Sequence, residues 1–424
     1  MPSVSVLRKG DFTREDRSVL FLSWFAYVFI YLTRVNISVA IPALCVERGL
    51  TRSDMGIVVT CFFWTYAAGQ MASGWLGGKL SPKWMIGGSL LLSALCNIAM
   101  AFAGSVPAMA ALWALNGAAQ SLMWAPMVLA LARQFDGVKL TAATFSISYT
   151  TVFGYLISWS GSALVVDNLG VMWAFLLPGF ASFAFFALFM LKFREPPARA
   201  AGEGSPGARG LGLSRLAGRK GLMVLVVLAC MLQGFVRDSL NTWLPTIING
   251  LDGFLRRSEI AVFLVVPLTN FAGVHLSRRV MARTGGDLFK TVFGFYGLTL
   301  LPCGALLVWM GMPPALMVAC MVLLLGLMFS INPLYTSFVP LGFSELGCVS
   351  MVAGLADCAI YVGAGLSGLV TGAMLERGAM RPLAAMWLVL LGGAGALSLL
   401  LKRAWKRDRL AGACGQGALA DTDG

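Results

Sequence analysis

The stretch Tyr27-Val-Phe-Ile-Tyr31-Leu-Thr-Arg34-Val-Asn-Ile-Ser-Val-Ala-Ile-Pro42 decides how this chain is read. It lies inside a long apolar run, yet an arginine stands near its middle. A second stretch echoes it: Gln233-Gly-Phe-Val-Arg237-Asp-Ser-Leu-Asn-Thr-Trp-Leu-Pro245. In both, a proline follows eight residues after the arginine, with an apolar residue just before it. Each arginine falls roughly sixteen residues into a run that is long enough, at about 20 residues, to cross a bilayer. A charge at mid-bilayer costs about 2.5–3.5 kcal/mol on insertion scales. Two such charges, at matching places in the two halves, point to a central polar cavity.

Composition supports a membrane chain. Hydrophobic residues are 58% of the 424 positions and charged residues 12%, about half the ~25% usual in a soluble domain. The net charge of +13 does not indicate nucleic acid, because the basic residues cluster in a few short connectors. The nine cysteines show no CxxC pair and no metal-ligand spacing, and read as small buried hydrophobes. No cofactor or metal is expected. There is no Gly-rich nucleotide loop, nucleophile elbow or HExxH, so neither an enzyme nor an ATP-driven pump is expected.

Apolar periodicity predicts an all-α polytopic protein of twelve transmembrane helices, near 18–44, 54–78, 84–104, 106–132, 140–166, 171–193, 222–249, 258–277, 288–311, 313–340, 347–374 and 382–402. The first six make a bundle over 1–193. A Gly/Pro/Ala/Arg-rich linker spans 194–221, a second six-helix bundle spans 222–402, and a basic, then Gly/Ala-rich tail spans 403–424. With this division, basic residues on the side of both termini outnumber those opposite by about four to one. The opposite side holds only Arg48, Arg52, Arg256, Arg257, Arg377 and Arg381. Both termini and the linker are therefore expected in the cytoplasm.

Tyr27, Tyr31 and Arg34 share one helix face at i, i+4 and i+7. Gln233, Arg237 and Asn241 form an i, i+4, i+8 polar stripe suited to a cavity wall. Asp238 points about 100° away from Arg237 and is expected to pair elsewhere. Tyr66 with Gln70, Asn116 with Gln120 and Trp124, and Asp357 with Tyr361 and Gly365 are further stripes, and Asn270 is isolated. Each of these either lines the cavity or hydrogen-bonds across helices. Asp357 is an intramembrane carboxylate and so a functional candidate by default. His275, near Arg278 and Arg279, reads as interfacial.

Six plus six spans, a linker and a basic second loop resemble the major facilitator superfamily. In the loop motif Gly74-Trp-Leu-Gly-Gly78-Lys79-Leu-Ser-Pro-Lys83, Gly78 stands where an Asp is expected. Within that superfamily the chain is similar to the organophosphate:phosphate antiporters. The matching residues are Tyr27, Tyr31, Arg34, Asn36 and Tyr66, then Ser81-Pro-Lys-Trp84, Trp113-Ala-Leu-Asn-Gly117, Ala119-Gln120, Trp124-Ala-Pro126, and Arg237 with Trp243-Leu-Pro245. The resemblance implies that Arg34 and Arg237 clasp a phosphate and that Tyr27, Tyr31 and Tyr66 line the site. It also carries departures. Val35 and Gln70 stand where relatives often have lysine, Thr150 near a fifth-span histidine and Asn270 near an eighth-span glutamate.

The function expected from this is secondary transport of a phosphate-bearing organic anion in exchange for inorganic phosphate, by a monomer in the inner membrane. Two other readings stay open: a membrane sensor for a sugar phosphate, and a proton-coupled organic-anion exporter using Asp357 or Asp238.

Overall fold

A computed structural model of the chain describes residues 12–76, 80–196, 218–251, 259–308, 311–343 and 348–420. Most of the connector expected over 194–221, and Gly78 and Lys79 of the loop motif, lie outside the described residues. So do Arg8, Lys9, Arg256 and Arg257.

The described residues are helical throughout, with no strand. Helix α1, Arg14–Arg48, opens on a reciprocal cap. The Asp16 N–H donates to Thr13 Oγ1 at 3.1 Å, and the Thr13 N–H donates to the Asp16 carboxylate at 3.0 Å. It closes at Gly49, whose φ of 63° suits a residue without a Cβ. Next come α2 (Arg52–Leu76), α3 (Pro82–Phe102), α4 (Val106–Ser121), α5 (Trp124–Gln134), α6 (Gly137–Leu169) and α7 (Trp173–Lys192). The later helices are α8 (Lys220–Asn249), α9 (Glu259–Arg283), α10 (Leu288–Val308), α11 (Pro314–Pro333), α12 (Val339–Leu341), α13 (Val349–Glu376) and α14 (Met380–Ala420). Among the described residues, nine helical runs are long and apolar enough to cross a membrane.

Three segments depart from the simple twelve-rod plan. The run expected over 106–132 breaks at Leu122 between α4 and α5. Pro126 explains the place, because its ring clashes with the carbonyl four residues earlier. The run over 313–340 carries a π-helical turn, Leu334–Phe338, set between Pro333 and Pro340, neither of which donates a backbone N–H. The tail expected from 403 onward is instead the continuation of α14, whose Lys-, Arg-, Leu- and Ala-rich sequence favours helix. Trp405 anchors that extension, with Phe289 and Phe343 at 5.5 and 5.1 Å. Pro42 and Pro245 lie inside α1 and α8, which run through them.

The chain packs as two compact units that cut across several helices. The first holds Met1–Gly204, Asp238–Thr269 and Gly365–Ala379, and the second holds Ser205–Arg237, Asn270–Ala364 and Met380–Gly424.

In the first unit α1 packs on α6, α2 on α4 and α3 on α7. One of its apolar clusters joins Leu22, Ala26 and Ile30 to Phe185, Phe189 and Phe193. Beside it runs a buried amide network. Asn36 Nδ2 donates to Asn97 Oδ1 at 2.9 Å, while Asn97 and Asn116 each donate to the Thr33 carbonyl at 2.9 Å. At one end of this unit, the last turns of α13 lie on the start of α2. The Arg52 N–H donates to Glu376 Oε2 at 2.6 Å, and its guanidinium donates to the Leu375 carbonyl at 2.8 Å. Each helix end thereby meets the charge its dipole favours. Gly56 and Gly368 allow the approach, since a Cβ on Gly56 would strike the Gly368 carbonyl.

In the second unit α10 packs on α14 and α11. Asp287 caps α10 through the Lys290 N–H at 3.0 Å and accepts from Lys402 Nζ at 2.6 Å. Partial burial raises its pKa. The bonds from Lys402 and Lys290 outweigh this and hold the carboxyl below its ordinary value.

Candidate functional site

Arg34 lies midway along α1, in the first unit. Its guanidinium carbon sits 4.6 Å from the ring centre of Tyr66 and 5.2 Å from that of Phe62, both on α2. Aromatic faces stabilise a cation without neutralising it. The Tyr66 hydroxyl accepts from Gln70 Nε2 at 3.0 Å, so Gln70 orients Tyr66. Tyr31 is 3.1 Å, hydroxyl to hydroxyl, from Thr151 and lies edge-on to Tyr27 at 5.6 Å. Trp124 closes on Tyr27 at 5.4 Å. The face Tyr27, Tyr31, Arg34 therefore meets Tyr66, Gln70 and Trp124 from the helices around it. Gly154 permits the Tyr31 ring to lie on α6, because a Cβ there would collide with it.

Asn241, grouped with this unit, donates from Nδ2 to the Tyr155 hydroxyl at 2.8 Å. Tyr155 in turn packs 5.3 Å from Tyr31. Arg34, Tyr155, Asn241 and Thr242 share the lining of one small cavity with Phe62 and Trp113.

The second unit holds its own buried cation. Arg237 is 8% exposed, and its guanidinium donates to Asn332 Oδ1 and lies 5.7 Å from the ring centre of Phe329. Asn332 sits next to Pro333 and the π-helical turn, so an irregular stretch of α11 supplies the partner. Asp357 on α13 is within electrostatic reach of Arg237. The two helices touch closely enough for this because Gly363 faces the Met231 carbonyl and Gly234 faces the Ile360 carbonyl. A Cβ at either glycine would clash. Gln233 donates to the Met328 carbonyl at 3.3 Å.

Other expected residues have surroundings of their own. Gln120 donates to Asn116 Oδ1 at 3.1 Å and is 1% exposed, which commits it to the amide network between helices. The Thr150 hydroxyl turns back to the Ile147 carbonyl at 2.5 Å. Asn270 is buried on α9, and Tyr361 is half-buried on α13. His275 is tied to the Phe271 carbonyl of its own helix, with Nδ1 3.1 Å away. Three residues that the sequence reading passed over belong to the groups around the arginines: Thr151, Tyr155 and Asn332. The first two were accessible, because Thr151, Tyr155 and Trp159 fall at i, i+4 and i+8 on α6.

A family model described as Major Facilitator Superfamily matches residues 23–360. The chain belongs to the major facilitator superfamily. Solved transporters share its fold. A bacterial homologue of the lysosomal transporter Spinster aligns with a TM-score of 0.74 at 12% identity, covering 94% of this chain and 99% of that one. The nucleoside transporter NupG aligns at 0.73 and 14%, covering 93% and 100%.

Among curated proteins, the probable sulfoacetate transporter SauU of Cupriavidus necator is 27% identical over 88% of this chain and 90% of its own length. A probable hexose phosphate transport protein of Chlamydia muridarum is 24% identical over 42% of this chain and 39% of its own. The membrane sensor protein UhpC of Salmonella typhimurium is 34% identical over 24% and 23%. This major facilitator chain is therefore a multi-pass membrane transporter and not an enzyme. Relatives carry names that refer to phosphorylated or sulfonated organic anions.

Proposed function

We propose that the protein is a secondary transporter of a small organic anion with a tetrahedral oxyanion head, a phosphate ester in the first instance, exchanged for inorganic phosphate. The observation that carries this reading is the pair of mid-helix arginines, Arg34 against the rings of Tyr66 and Phe62 and Arg237 held by Asn332. A guanidinium donates two parallel hydrogen bonds to such a head and stays charged at any relevant pH. Members of this fold bind substrate near the bilayer midplane, between their two repeats. Arg34 contributes one arm of the clamp and Arg237 the other. Tyr27, Tyr31, Tyr66, Gln70, Trp124, Gln233, Asn241, Asn270, Asp357 and Tyr361 shape the walls. A bound anion neutralises positive charge at both guanidiniums, so reorientation is favoured with an anion loaded, which makes the carrier an exchanger. We place 1–193 and 222–402 as the two bundles, with linker, tail and both termini on the cytoplasmic side of the inner membrane, and the carrier acting as a monomer.

A second reading has its own support. SauU is matched along nearly its whole length, whereas the hexose phosphate protein is matched over 39%. The two lysines that organophosphate carriers often have are replaced here by Val35 and Gln70, and Asp357 lies near Arg237. A site with less positive charge suits a singly charged sulfonate head better than a phosphate dianion.

Counterflow in proteoliposomes decides between them. Vesicles loaded with inorganic phosphate, or with a short alkyl sulfonate, are given labelled organophosphate or sulfonate outside. Phosphate-driven uptake of organophosphate supports the first reading, and sulfonate exchange without phosphate supports the second. Binding with no flux in either arm is the behaviour of a sensor and ends both. Arg34→Lys and Arg237→Lys keep the charge and lose the fork. The loss is expected to be about 2–5 kcal/mol, at least ~30-fold in affinity. Wild-type exchange by both lysine variants contradicts the clamp.

A further inference from the structure

The cavity beside Arg34 is bordered by a residue, Asn241, with a polar atom that neither the clamp nor the packing uses. About 30 Å³ of the cavity is open, enough for a water-sized group, which needs at least ~10–15 Å³. Asn241, on its wall, is 5% exposed. Its amide N–H donates to the Tyr155 hydroxyl at 2.8 Å, while its Oδ1 is buried with no partner among the described residues. Tyr155 is held rigidly, with its ring 5.3 Å from Tyr31 and 5.6 Å from Trp159. Because the phenol oxygen accepts from Asn241, the phenol proton remains available to donate. Ser38 also lines the cavity, but its hydroxyl proton is already committed. It donates to the Val35 carbonyl at 2.7 Å and accepts from Trp159 Nε1 at 3.0 Å. The cavity thus offers a cation on one wall, one phenol donor and one orphan carbonyl acceptor.

We propose that this cavity is a subsite for a single hydroxyl on the substrate, placed one or two carbons from the anionic head that Arg34 receives. The inference rests on the anion-transport reading above. The substrate hydroxyl donates to Asn241 Oδ1 and accepts from the Tyr155 phenol, which satisfies both. A fully ionised oxyanion head in the same place brings no proton to Asn241 Oδ1. A carboxylate or ether in the same place brings no proton and leaves Asn241 Oδ1 unpaired. The chemical class selected is therefore a short hydroxylated organic anion rather than a plain alkyl phosphate or sulfonate. An unmet buried acceptor penalises the analogue without the hydroxyl by roughly ten- to a hundredfold.

The test uses the full-length purified protein and two matched pairs, 2-hydroxyethyl phosphate with ethyl phosphate and 2-hydroxyethanesulfonate with ethanesulfonate. Dissociation constants are read from ligand-dependent thermal shifts. The hydroxylated member of a bound pair is expected to bind about ten- to a hundredfold tighter. That ratio is expected to fall toward one in Asn241→Leu and in Tyr155→Phe. The wild-type comparison stands even if a variant misfolds. Binding without discrimination within a pair, or tighter binding of a 2-methoxyethyl analogue, overturns the subsite and leaves the anion clamp standing. No binding by any of the four removes the clamp, and the subsite with it.

Discussion

Asn97 joins two helices through both ends of its amide. Its Oδ1 accepts from Asn36, and its Nδ2 donates to the Thr33 carbonyl of α1 at 2.9 Å and to Ser93 of its own helix at 3.0 Å. All of this is buried, so a truncated partner leaves polar groups facing hydrocarbon. Asn97→Ala is expected to destabilise the protein by about 1–3 kcal/mol, measured as a lower unfolding midpoint in detergent. An unchanged midpoint would mean that water replaces the amide. Single residues are also where the sequence was hardest to read. The stripe of Asn116 and Gln120 is plain, but its partner Thr33 is 87 residues from Gln120, so the choice between cavity and packing was invisible. At Thr150 the difficulty was rotation, because neighbouring helix positions diverge by about 100°. Thr151 meets Tyr31 while Thr150 bonds its own helix.

Whole elements were more legible, because apolar run length and helix-breaking residues are local signals. The twelve apolar runs recur as helices near their expected positions. The break at Leu122 was in principle readable from Pro126, and the π-helical turn from Pro333 and Pro340. What the sequence could not show was how near two helices come. Gly363 and Gly234 settle that for α13 and α8, each facing a carbonyl of the other helix with no room for a Cβ. Gly354, two turns earlier on α13, faces open space. The two glycines should respond differently to the same change. Gly363→Ala forces the helices apart and is expected to cost about 1–3 kcal/mol, the usual penalty of overpacking. Gly354→Ala is expected to stay within about 0.5 kcal/mol, as substitutions outside packed contacts do. Thermal unfolding of the two variants in one detergent compares them directly. Equal effects would mean that α8 and α13 do not meet through these glycines.

At the scale of the whole molecule, the matter that composition speaks to most directly is sidedness. A lysine or arginine near a helix end is retained on the cytoplasmic side during insertion, and short loops obey this most strictly. The short connection between α1 and α2 carries Arg48 and Arg52. Arg48 donates to the carbonyls of Ala101, at 2.7 Å, and Ala103, and Arg52 is engaged with Leu375 and Glu376. Charges spent on helix ends in this way are structural and do not compete with the larger basic clusters elsewhere in the chain. Those clusters include Lys192, Arg194, Arg219 and Lys220 around the central connector, Arg278, Arg279, Arg283 and Lys290 between α9 and α10, and Lys402, Arg403, Lys406 and Arg407 on α14. We propose that the chain inserts with the end of α14 and the central connector in the cytoplasm and the α1–α2 connection outside. A fluorescent protein fused after Gly424 is then expected to mature and glow, and alkaline phosphatase fused at the same place to stay inactive. Alkaline phosphatase fused after Gly49 should be active. An impermeant maleimide should label a cysteine placed at Thr51 in intact cells of a cysteine-free background, and one placed at Arg283 only after lysis. The reverse pattern would put the basic clusters outside, and the arginines of α1 and α8 would then face their anion from the other side of the membrane.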